Sequence, residues 1–241
     1  MCSICGCSTD PEDISDHVHQ HHHFHDDNLI HIEQDILGAN NKLAQNNKNY
    51  FDKKNILALN IMSSPGSGKT TFLSKTIADL KDEIDMAVIV GDQHSNLDTD
   101  FIKSNGGHAF QINTGKVCHL DAHMIGHALE DIPIKNKSIL FIENVGNLVC
   151  PASFHLGEKF KIVILSVTEG DNKPLKYPDM FRAADLMIIT KTDLLPYVDF
   201  NIDKCLEYAR RIKPDMEALS LSAKNNDGLS NWYQWLRKMQ A

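Results

Sequence analysis

Apolar runs of strand length alternate with segments of helical periodicity over most of the chain. The runs occupy residues 56–62, 86–90, 109–112, 138–142, 162–167, 186–189 and 219–221. Between them, apolar residues recur every three or four positions, and the last such segment, 229–239, carries Trp232, Trp235 and Leu236 on a face that we expect to pack in the core. This alternation predicts an α/β fold with a mostly parallel central sheet flanked by helices.

The first 54 residues depart from this pattern. Residues 1–31 hold three Cys and seven of the thirteen His, and the first Lys or Arg of the chain is Lys42. Such a segment has little to bury, so we expect residues 1–31 to be a flexible, disordered metal-binding segment. A weak helical face with Asn-rich polar filling predicts a helical linker over 32–54, which leads into a domain spanning 55–241.

A Gly-rich turn joins the first run to a helix. The segment SSPGSGKTT at 63–71 has the strand and helix that a phosphate-binding P-loop requires, although Ser63 stands where the usual pattern has Gly. Backbone N–H groups of the turn and the helix N-terminus favour an anion, Lys69 would reach the β- and γ-phosphates, and Thr70 would bind Mg²⁺. The predicted phosphate site comprises Gly66, Ser67, Gly68, Lys69, Thr70 and Thr71.

Two carboxylates follow other strands of the predicted sheet. Asp92 lies at the carboxyl end of the second run, where ligands bind in open α/β sheets, so it is a candidate to bind Mg²⁺ or to orient the attacking water; a helix N-cap or a turn residue is the alternative. Glu143 begins ENVG at 143–146, in place of the Asp of the GTPase DxxG motif. Its carboxylate would contact Mg²⁺ directly or through water, and the Gly146 N–H would sense the γ-phosphate.

Two later motifs favour guanine. In TKTD at 190–193, the Asp193 carboxylate can accept from both N1–H and N2–H₂ of guanine, a pair that adenine lacks, while the stem of Lys191 can stack on the base. Ser222, Ala223 and Lys224 form an SAK loop whose backbone would contact guanine O6. Four motifs in the correct order predict an enzyme that hydrolyses GTP to GDP and phosphate. We expect slow intrinsic turnover because no finger-like Arg lies near the motifs.

The N-terminal thiols predict a soft-metal site. Cys2 and Cys5 have the spacing that lets two sulfurs chelate one ion, and Gly6 permits the tight backbone that brings in Cys7. Thiolates suit Zn²⁺, Ni²⁺ or Cu(I), and a redox dithiol is the main alternative. The clustered imidazoles that follow bind Ni²⁺ and Zn²⁺ with little geometric selectivity, or serve as a solubilising tail; they are His17, His19, His21, His22, His23, His25 and His31.

A second group of metal-binding residue types lies inside the domain. Cys118 and His119 follow the third run, and Cys150 comes four residues after Gly146, on the element that should move when the γ-phosphate is lost; a buried small residue is the alternative for Cys150. His119, His123 and His127 are four residues apart, so we expect them to share one helix face. For His123 and His127, a metal site and an exposed polar face are equally open.

Length, composition and charge limit the kinds of protein that this chain can be. A chain of 241 residues with 42% hydrophobic residues is enough for one α/β domain with a short extra segment. The net charge of −8 gives no electrostatic support for a nucleic-acid partner. We expect no membrane partner and a cytoplasmic protein, because the sequence has neither a membrane-span pattern nor a signal-peptide pattern. In a reducing compartment its six Cys would be metal ligands, redox thiols or buried small residues.

Taken together, these motifs closely resemble the HypB family of nickel-incorporation GTPases, which act in [NiFe]-hydrogenase maturation. The resemblance covers nearly the whole chain. It rests on the N-terminal Cys motif, the His-rich stretch, SSPGSGKTT, NTGKVCHLDA, ENVGNLVCP, SVTEGDNKPLKYP, TKTDLLPY and SAK. It implies a metallochaperone GTPase of the SIMIBI class that dimerises with GTP, exchanges nickel with a HypA-like chaperone and docks on the immature hydrogenase large subunit.

The resemblance also assigns residues. It implies that Cys118, His119 and Cys150 form the metal site of the GTPase domain near a dimer interface, and that Cys2, Cys5 and Cys7 form a high-affinity nickel site. It further implies that His123 and His127 hold a surface metal. Lys176 would reach the partner subunit's nucleotide as a catalytic charge stabiliser, and Leu194 and Val198 fall at the dimer contact, where Val198 is often Leu.

Three other functions compete with this one. A metallochaperone GTPase serving urease or a cobalamin enzyme is less well matched by the Cys motif and by ENVGNLVCP. A nickel or zinc storage protein is compatible with the His-rich segment and with a secondary GTPase. A plain signalling GTPase leaves the Cys and His residues unexplained.

Overall fold

The structure is a computed structural model that describes residues 24–92 and 95–240, with side chains described from Gln34 onward within these ranges. The chain divides into two compact units, residues 1–35 and 36–241. The second unit holds the sheet and every candidate site that the structure describes.

The strands of this unit form one parallel sheet of seven strands in the order β3-β2-β4-β1-β5-β6-β7. Their bounds are β1 Leu57–Ser63, β2 Met86–Asp92, β3 His108–Asn113, β4 Ile139–Glu143, β5 Phe160–Ser166, β6 Leu186–Thr190 and β7 Glu217–Ser220. All seven correspond to predicted runs. The predicted mostly parallel α/β P-loop fold is therefore confirmed.

Helices connect the strands and cover both faces of the sheet. They are α1 Phe24–Lys54, α2 Lys69–Leu80, α3 Leu97–Ser104, α4 Ala122–Asp131, α5 Cys150–Ser153, α6 Lys173–Lys176, α7 Pro178–Ala183, α8 Ile202–Ile212 and α9 Leu229–Gln240, with 3₁₀ turns at Val167–Glu169 and Thr192–Tyr197. Within the described part of the chain, no helix combines the length and apolar character needed to cross a membrane.

Alternate side chains of β1 enter different cores. Leu57, Leu59 and Ile61 pack with Phe72 of α2 and Trp232 of α9. Ala58 faces the opposite side, in the cluster that contains residues of α1 and α4. This alternation follows from the two-residue period of a strand, and burial on both faces is typical of a central parallel strand. Trp232, Trp235 and Leu236 are buried as predicted.

Helix α1 packs against the sheet unit from Ile36 onward. Phe51 is buried in the same core as Ala58, and Asn47 donates from Nδ2 to the carbonyls of Ala122 and Leu156 at 2.8 and 3.0 Å. Gly157, at φ +97°, lies so close to α1 that an added Cβ would come within 2.7 Å of the Ala44 carbonyl oxygen. The residues expected as a helical linker are thus helical, and 36–54 belong to the same compact unit as the sheet.

The topology places the candidate residues along one edge. The loops after β1, β2, β4 and β6 all leave from the carboxyl ends of parallel strands, where ligands bind in open α/β sheets. The site is therefore built from segments that are far apart in sequence.

Candidate nucleotide site and metal cluster

The turn between β1 and α2 has the conformation that a P-loop requires. Gly66 and Gly68 have φ values of +74° and +94°, a region that suits glycine, and Gly68 is the N-cap of α2. Lys69 donates from Nζ to the Ser63 hydroxyl at 2.8 Å, and the Ser67 hydroxyl donates to the same oxygen at 2.6 Å. Ser63, where the usual motif has Gly, therefore anchors the lysine that would bind phosphate.

The magnesium side of the site centres on Glu143. Thr70 donates from its hydroxyl to Glu143 Oε1 at 2.7 Å, while Glu143 Oε2 is buried and has no hydrogen-bond partner among the described residues. Burial raises the pKa of Glu143 to about 7, against the opposing effect of Lys69. Burial also lowers the pKa of Lys69, and the nearby Glu143 carboxylate partly offsets this. A buried carboxylate oxygen without a donor, next to a threonine hydroxyl, fits a hard divalent cation.

Two further acids act on this centre. Asp92 accepts from the Ser95 hydroxyl at 2.5 Å, and both Asp92 and Asp98 interact electrostatically with Lys69 and Glu143. Sequence reasoning predicted Asp92 and missed Asp98, which lies in the first turn of α3. No motif marks Asp98, because only the packing of α3 brings it near the P-loop. Residues 93–94, which directly follow Asp92, lie outside the described residues.

The guanine side is formed by the segments after β6 and β7. Asp193 accepts through Oδ1 from the Ser222 hydroxyl at 2.6 Å, and the Lys224 N–H donates to the Ser222 oxygen at 3.2 Å. Lys191, in the left-handed region at φ +59°, reaches over the P-loop and donates from Nζ to the Gly66 carbonyl at 2.7 Å. These contacts bring TKTD and SAK together beside the phosphate turn.

A cavity of about 280 Å³ lies between these segments. Its lining contains most of the predicted base-binding residues and part of the P-loop: Ser67, Gly68, Thr71, Phe72, Thr190, Lys191, Asp193, Leu194, Ser222, Ala223 and Lys224. The predicted Gly146 lies at the other side of the turn, where an added Cβ would come within 3.0 Å of Pro65 backbone atoms. Close packing of the 143–146 segment on the P-loop thus favours glycine at this position, since a side chain there would push against Pro65.

Three of the predicted metal ligands are adjacent. The ligand atoms of Cys118, His119 and Cys150 all lie within 4.8 Å of one another, and the two sulfurs are 3.0 Å apart. All three residues are partly exposed, and both thiols are free. The His119 ring packs on Phe154 at a centroid distance of 4.0 Å. Two soft sulfurs and one imidazole suit Ni²⁺ or Zn²⁺ and leave room for a further ligand.

The protonation states of His119 and Cys150 affect metal binding in opposite directions. Partial burial lowers the pKa of His119, although Asp121 opposes this, so the imidazole remains neutral and able to donate its lone pair. Hydrogen bonding with Cys118 and burial raise the pKa of the Cys150 thiol. A metal would therefore displace thiol protons as it binds.

The prediction that three histidines share one helix face is wrong for His119. Helix α4 begins at Ala122 because Asp121 caps it, accepting from the Met124 N–H at 2.8 Å, so His119 lies in the preceding loop. His123 and His127 do share a face of α4. They are exposed, with their Nε2 atoms 3.1 Å apart.

The remaining predicted residues are exposed, pack partly against the core, or lie outside the described part of the chain. Lys176 is exposed at the end of α6, while Leu194 and Val198 pack partly against the core near α7 and α8. Cys2, Cys5 and Cys7 lie outside the described residues, as do the side chains of the N-terminal histidines. Their predicted roles therefore stay predictions.

Comparison with known proteins agrees with this arrangement. The family model described as the CobW/HypB/UreG nucleotide-binding domain matches residues 57–220. The hydrogenase maturation factor HypB of Rhizobium leguminosarum bv. viciae is 55% identical over 208 residues, which cover 86% of this chain and 70% of the relative. The chain belongs to the HypB family.

Solved structures of HypB proteins share the fold. HypB from Helicobacter pylori in complex with nickel has a TM-score of 0.80 and 40% identity, covering 84% of this chain and 95% of that chain. HypB from Archaeoglobus fulgidus has a TM-score of 0.79 and 38% identity, covering 85% and 100%. The resemblance to the HypB family predicted from the motifs is thus confirmed.

Proposed function

We propose that this protein is a GTP-hydrolysing metallochaperone that delivers nickel during [NiFe]-hydrogenase maturation. The observation that carries the proposal is the position of the Cys118, His119 and Cys150 cluster. Cys150 lies seven residues beyond Glu143, which contacts Thr70 of the P-loop at 2.7 Å. One short segment therefore connects a nucleotide site with a soft-metal cluster. The relatives named hydrogenase maturation factors, and the nickel complex of one of them, support the choice of metal and pathway.

GTP would bind with its base against Asp193 and its phosphates on the P-loop. The carboxylate of Asp193 accepts the two guanine donors, and Lys69 leaves Ser63 to bind the β- and γ-phosphates. Thr70 and Glu143 would hold Mg²⁺, with Asp92 as a further candidate; when bound, the ion neutralises charge that develops on the phosphates. Asp92 is also the candidate to orient the water that attacks the γ-phosphorus.

Loss of the γ-phosphate would release the segment that carries Cys150. Gly146 packs directly on Pro65 of the P-loop. A shift of the P-loop when the γ-phosphate leaves would therefore move residues 143–150. Displacing Cys150 from Cys118 would remove one ligand from the nickel cargo and lower its affinity. Linkage requires that nickel in turn alters nucleotide binding.

The proposal extends to the partner proteins and to the location in the cell. GTP-dependent homodimerisation would bring Lys176 to the partner subunit's nucleotide, with Leu194 and Val198 at the contact. Nickel would be exchanged with a HypA-like chaperone and handed to the immature hydrogenase large subunit in the cytoplasm. The Cys motif and His-rich segment would bind nickel or zinc and could store it.

The deciding experiment measures Ni²⁺ affinity of the full chain carrying Cys2→Ser, Cys5→Ser and Cys7→Ser, in GDP and in a non-hydrolysable GTP analogue. Charge-transfer absorption from thiolate to Ni²⁺ separates the cluster from the His-rich segment. We expect the two affinities to differ, and Cys118→Ala to abolish the thiolate signal. Equal affinities in both nucleotide states would contradict a GTP-gated cluster.

Base specificity and delivery are tested separately. Removing the Asp193 carboxylate by Asp193→Asn should weaken GTP binding about 10- to 100-fold, since a hydrogen bond to a charged group contributes about 1.5–3 kcal/mol, while xanthosine triphosphate should bind better to the variant than to the parent. Hydrogenase activity in a host lacking its own homologue tests delivery. A parent chain that binds nickel yet restores no activity would argue for storage.

A further inference from the structure

Two polar residues lie within strands of the buried sheet and have no role in the chemistry above. Asn60 of β1 is fully buried, and Lys161 of β5 is 3% exposed. Both occupy positions where a parallel strand normally carries apolar side chains. Burial of an amide and an ammonium group costs free energy unless hydrogen bonds compensate, so their partners are informative.

Asn144 bonds to the loop that carries Cys118 and His119, which form the first half of the cluster. This residue directly follows Glu143 and is 1% exposed. Its Oδ1 accepts from the N–H of Leu120 and from that of Val145, both at 3.0 Å. Leu120 immediately follows His119, so one side chain holds the loop of Cys118 and His119 against the end of β4.

Lys161 bonds to the short helix α5 that begins with Cys150, the second half of the cluster. Its Nζ donates to the Ala152 carbonyl at 2.9 Å, within the four-residue helix that begins at Cys150. The same Nζ lies 3.9 Å from Glu158 Oε1, and the two side chains are 4% and 1% exposed. Such a short helix has few hydrogen bonds of its own, so a buried cation at its carbonyl end holds it in place.

Buried hydrogen bonds and the ion pair of Glu158 with Lys161 at 3.9 Å connect the contacts of Asn144 with those of Lys161. Asn144 donates from Nδ2 to Asn60 Oδ1 at 3.2 Å, and Asn60 donates from Nδ2 to Glu158 Oε1 at 3.2 Å. Glu158 also accepts from the Leu156 N–H at 2.6 Å and pairs with Lys161. The network thus runs from the residue after Glu143, through β1, to the helix of Cys150.

We propose that Asn144, Asn60, Glu158 and Lys161 are positioning residues that hold the two halves of the Cys118, His119 and Cys150 cluster in register with each other and with the nucleotide-contacting end of β4. The proposal rests on the proposed function only for the identity of the cargo. Its physical basis is that residues behind metal ligands fix ligand orientation, and their loss typically weakens metal affinity about 10- to 100-fold.

The test uses the full chain with Cys2, Cys5 and Cys7 replaced by Ser, in the GDP state, and Co²⁺ as the probe. Thiolate-to-Co²⁺ charge transfer reports both affinity and geometry at the cluster. The variants are Asn144→Ala and the double variant Glu158→Gln with Lys161→Met. The double variant removes both buried charges together, because Lys161→Met alone would leave Glu158 uncompensated and risk unfolding.

Matched controls lie elsewhere in the same domain. Lys213 also donates from Nζ to the carbonyl at a helix end, Ala184, and also lies near an acid, Asp185. Lys213→Met therefore removes a comparable bond from a lysine to a carbonyl while leaving the contact of Lys161 with Ala152 in place. Thr76→Val removes a buried hydrogen bond, the one accepted from Trp232 Nε1 at 3.0 Å, in the opposite core.

We expect both network variants to bind Co²⁺ about 10- to 100-fold more weakly, with an altered charge-transfer band and GDP affinity within about twofold of the parent. Both controls should keep the parent's affinity and band. Parent-like Co²⁺ binding by both network variants, or an equal loss in Lys213→Met, would overturn the proposal. Because the readout is taken in one nucleotide state, it stands apart from the GTP-gating test: equal nickel affinities in GDP and the analogue would refute gating and leave this result intact.

Discussion

The nucleotide site and the metal cluster differ in how many of their polar groups already bond to other groups of the chain. In the nucleotide site several key polar groups are paired with one another, as in Lys69 with Ser63 and Asp193 with Ser222, while Glu143 Oε2 has no partner among the described residues. In the cluster, three partly exposed donors converge and leave room for a fourth ligand. A rigid pocket suits a nucleotide that must be held in one pose, whereas an incomplete ligand set suits a metal that must be passed on.

The largest expected effect breaks the nucleotide site and leaves the cluster intact. Removing the lysine that bonds to Ser63 in the P-loop, by Lys69→Ala, should lower the rate of GTP hydrolysis about 10²–10³-fold, because a preorganised charge on the phosphates is lost. Phosphate release measures this. Lys75→Ala, on the same helix and paired with Asp79, is the control and should leave turnover near that of the parent. Loss of Co²⁺ affinity at the cluster in Lys69→Ala without nucleotide would show that the two sites are not separable.

A second prediction uses pH to measure the cost of burying the Glu143 carboxylate when no ligand is bound. Because burial raises the pKa of Glu143 from 4.5 to about 7, the folded state binds this proton more tightly than the unfolded state does. Stability from this group is therefore present below pH 4.5 and lost as pH rises to about 7, by on the order of 3 kcal/mol. The measurement is the free energy of unfolding of the ligand-free parent and of Glu143→Gln between pH 4.5 and 7.5.

Only the difference between the two proteins isolates Glu143. The variant should be close to the parent at pH 4.5 and the more stable of the two at pH 7.5. A difference that does not change with pH would mean that Glu143 is already ionised in the folded protein at low pH. Mg²⁺ should reduce the difference at pH 7.5, since it replaces the proton on the buried carboxylate.

The smallest expected effect concerns the hydrogen bonds that join α1 to Ala122 of α4 and to Leu156. Asn47→Ala leaves the buried carbonyls of Ala122 and Leu156 without their side-chain donor, so the free energy of unfolding should fall by about 1–3 kcal/mol. Asn49→Ala, at an exposed position of the same helix, should change it by less than about 0.5 kcal/mol. Denaturant unfolding distinguishes them. Equal effects would mean that helix propensity, rather than the contact with α4, sets the result.

Sequence patterns predicted the nucleotide site more completely than the metal cluster. The P-loop and TKTD are contiguous, so both their residues and their position at strand ends were predictable. The metal ligands were predictable as residue types, but Cys118 and Cys150 are 32 positions apart and meet only because two loops leave neighbouring parts of one sheet edge. The helical spacing of His119, His123 and His127 was misleading because the Asp121 cap starts the helix after His119.

The sequence by itself determined the parallel α/β architecture, the phosphate and guanine motifs, and membership of the HypB family, because each is written in short contiguous patterns. The tertiary structure alone decided that Asp98 lies near enough to Lys69 to interact with it electrostatically, that Glu143 keeps an oxygen without a partner among the described residues, and that Asn144 and Lys161 hold opposite halves of the cluster. Apart from the contact of Lys161 with Ala152, which are 9 positions apart, these features depend on contacts between segments 24 to 73 positions apart. Local periodicity carries no information about such distances, whereas packing of parallel strands brings their ends to one edge.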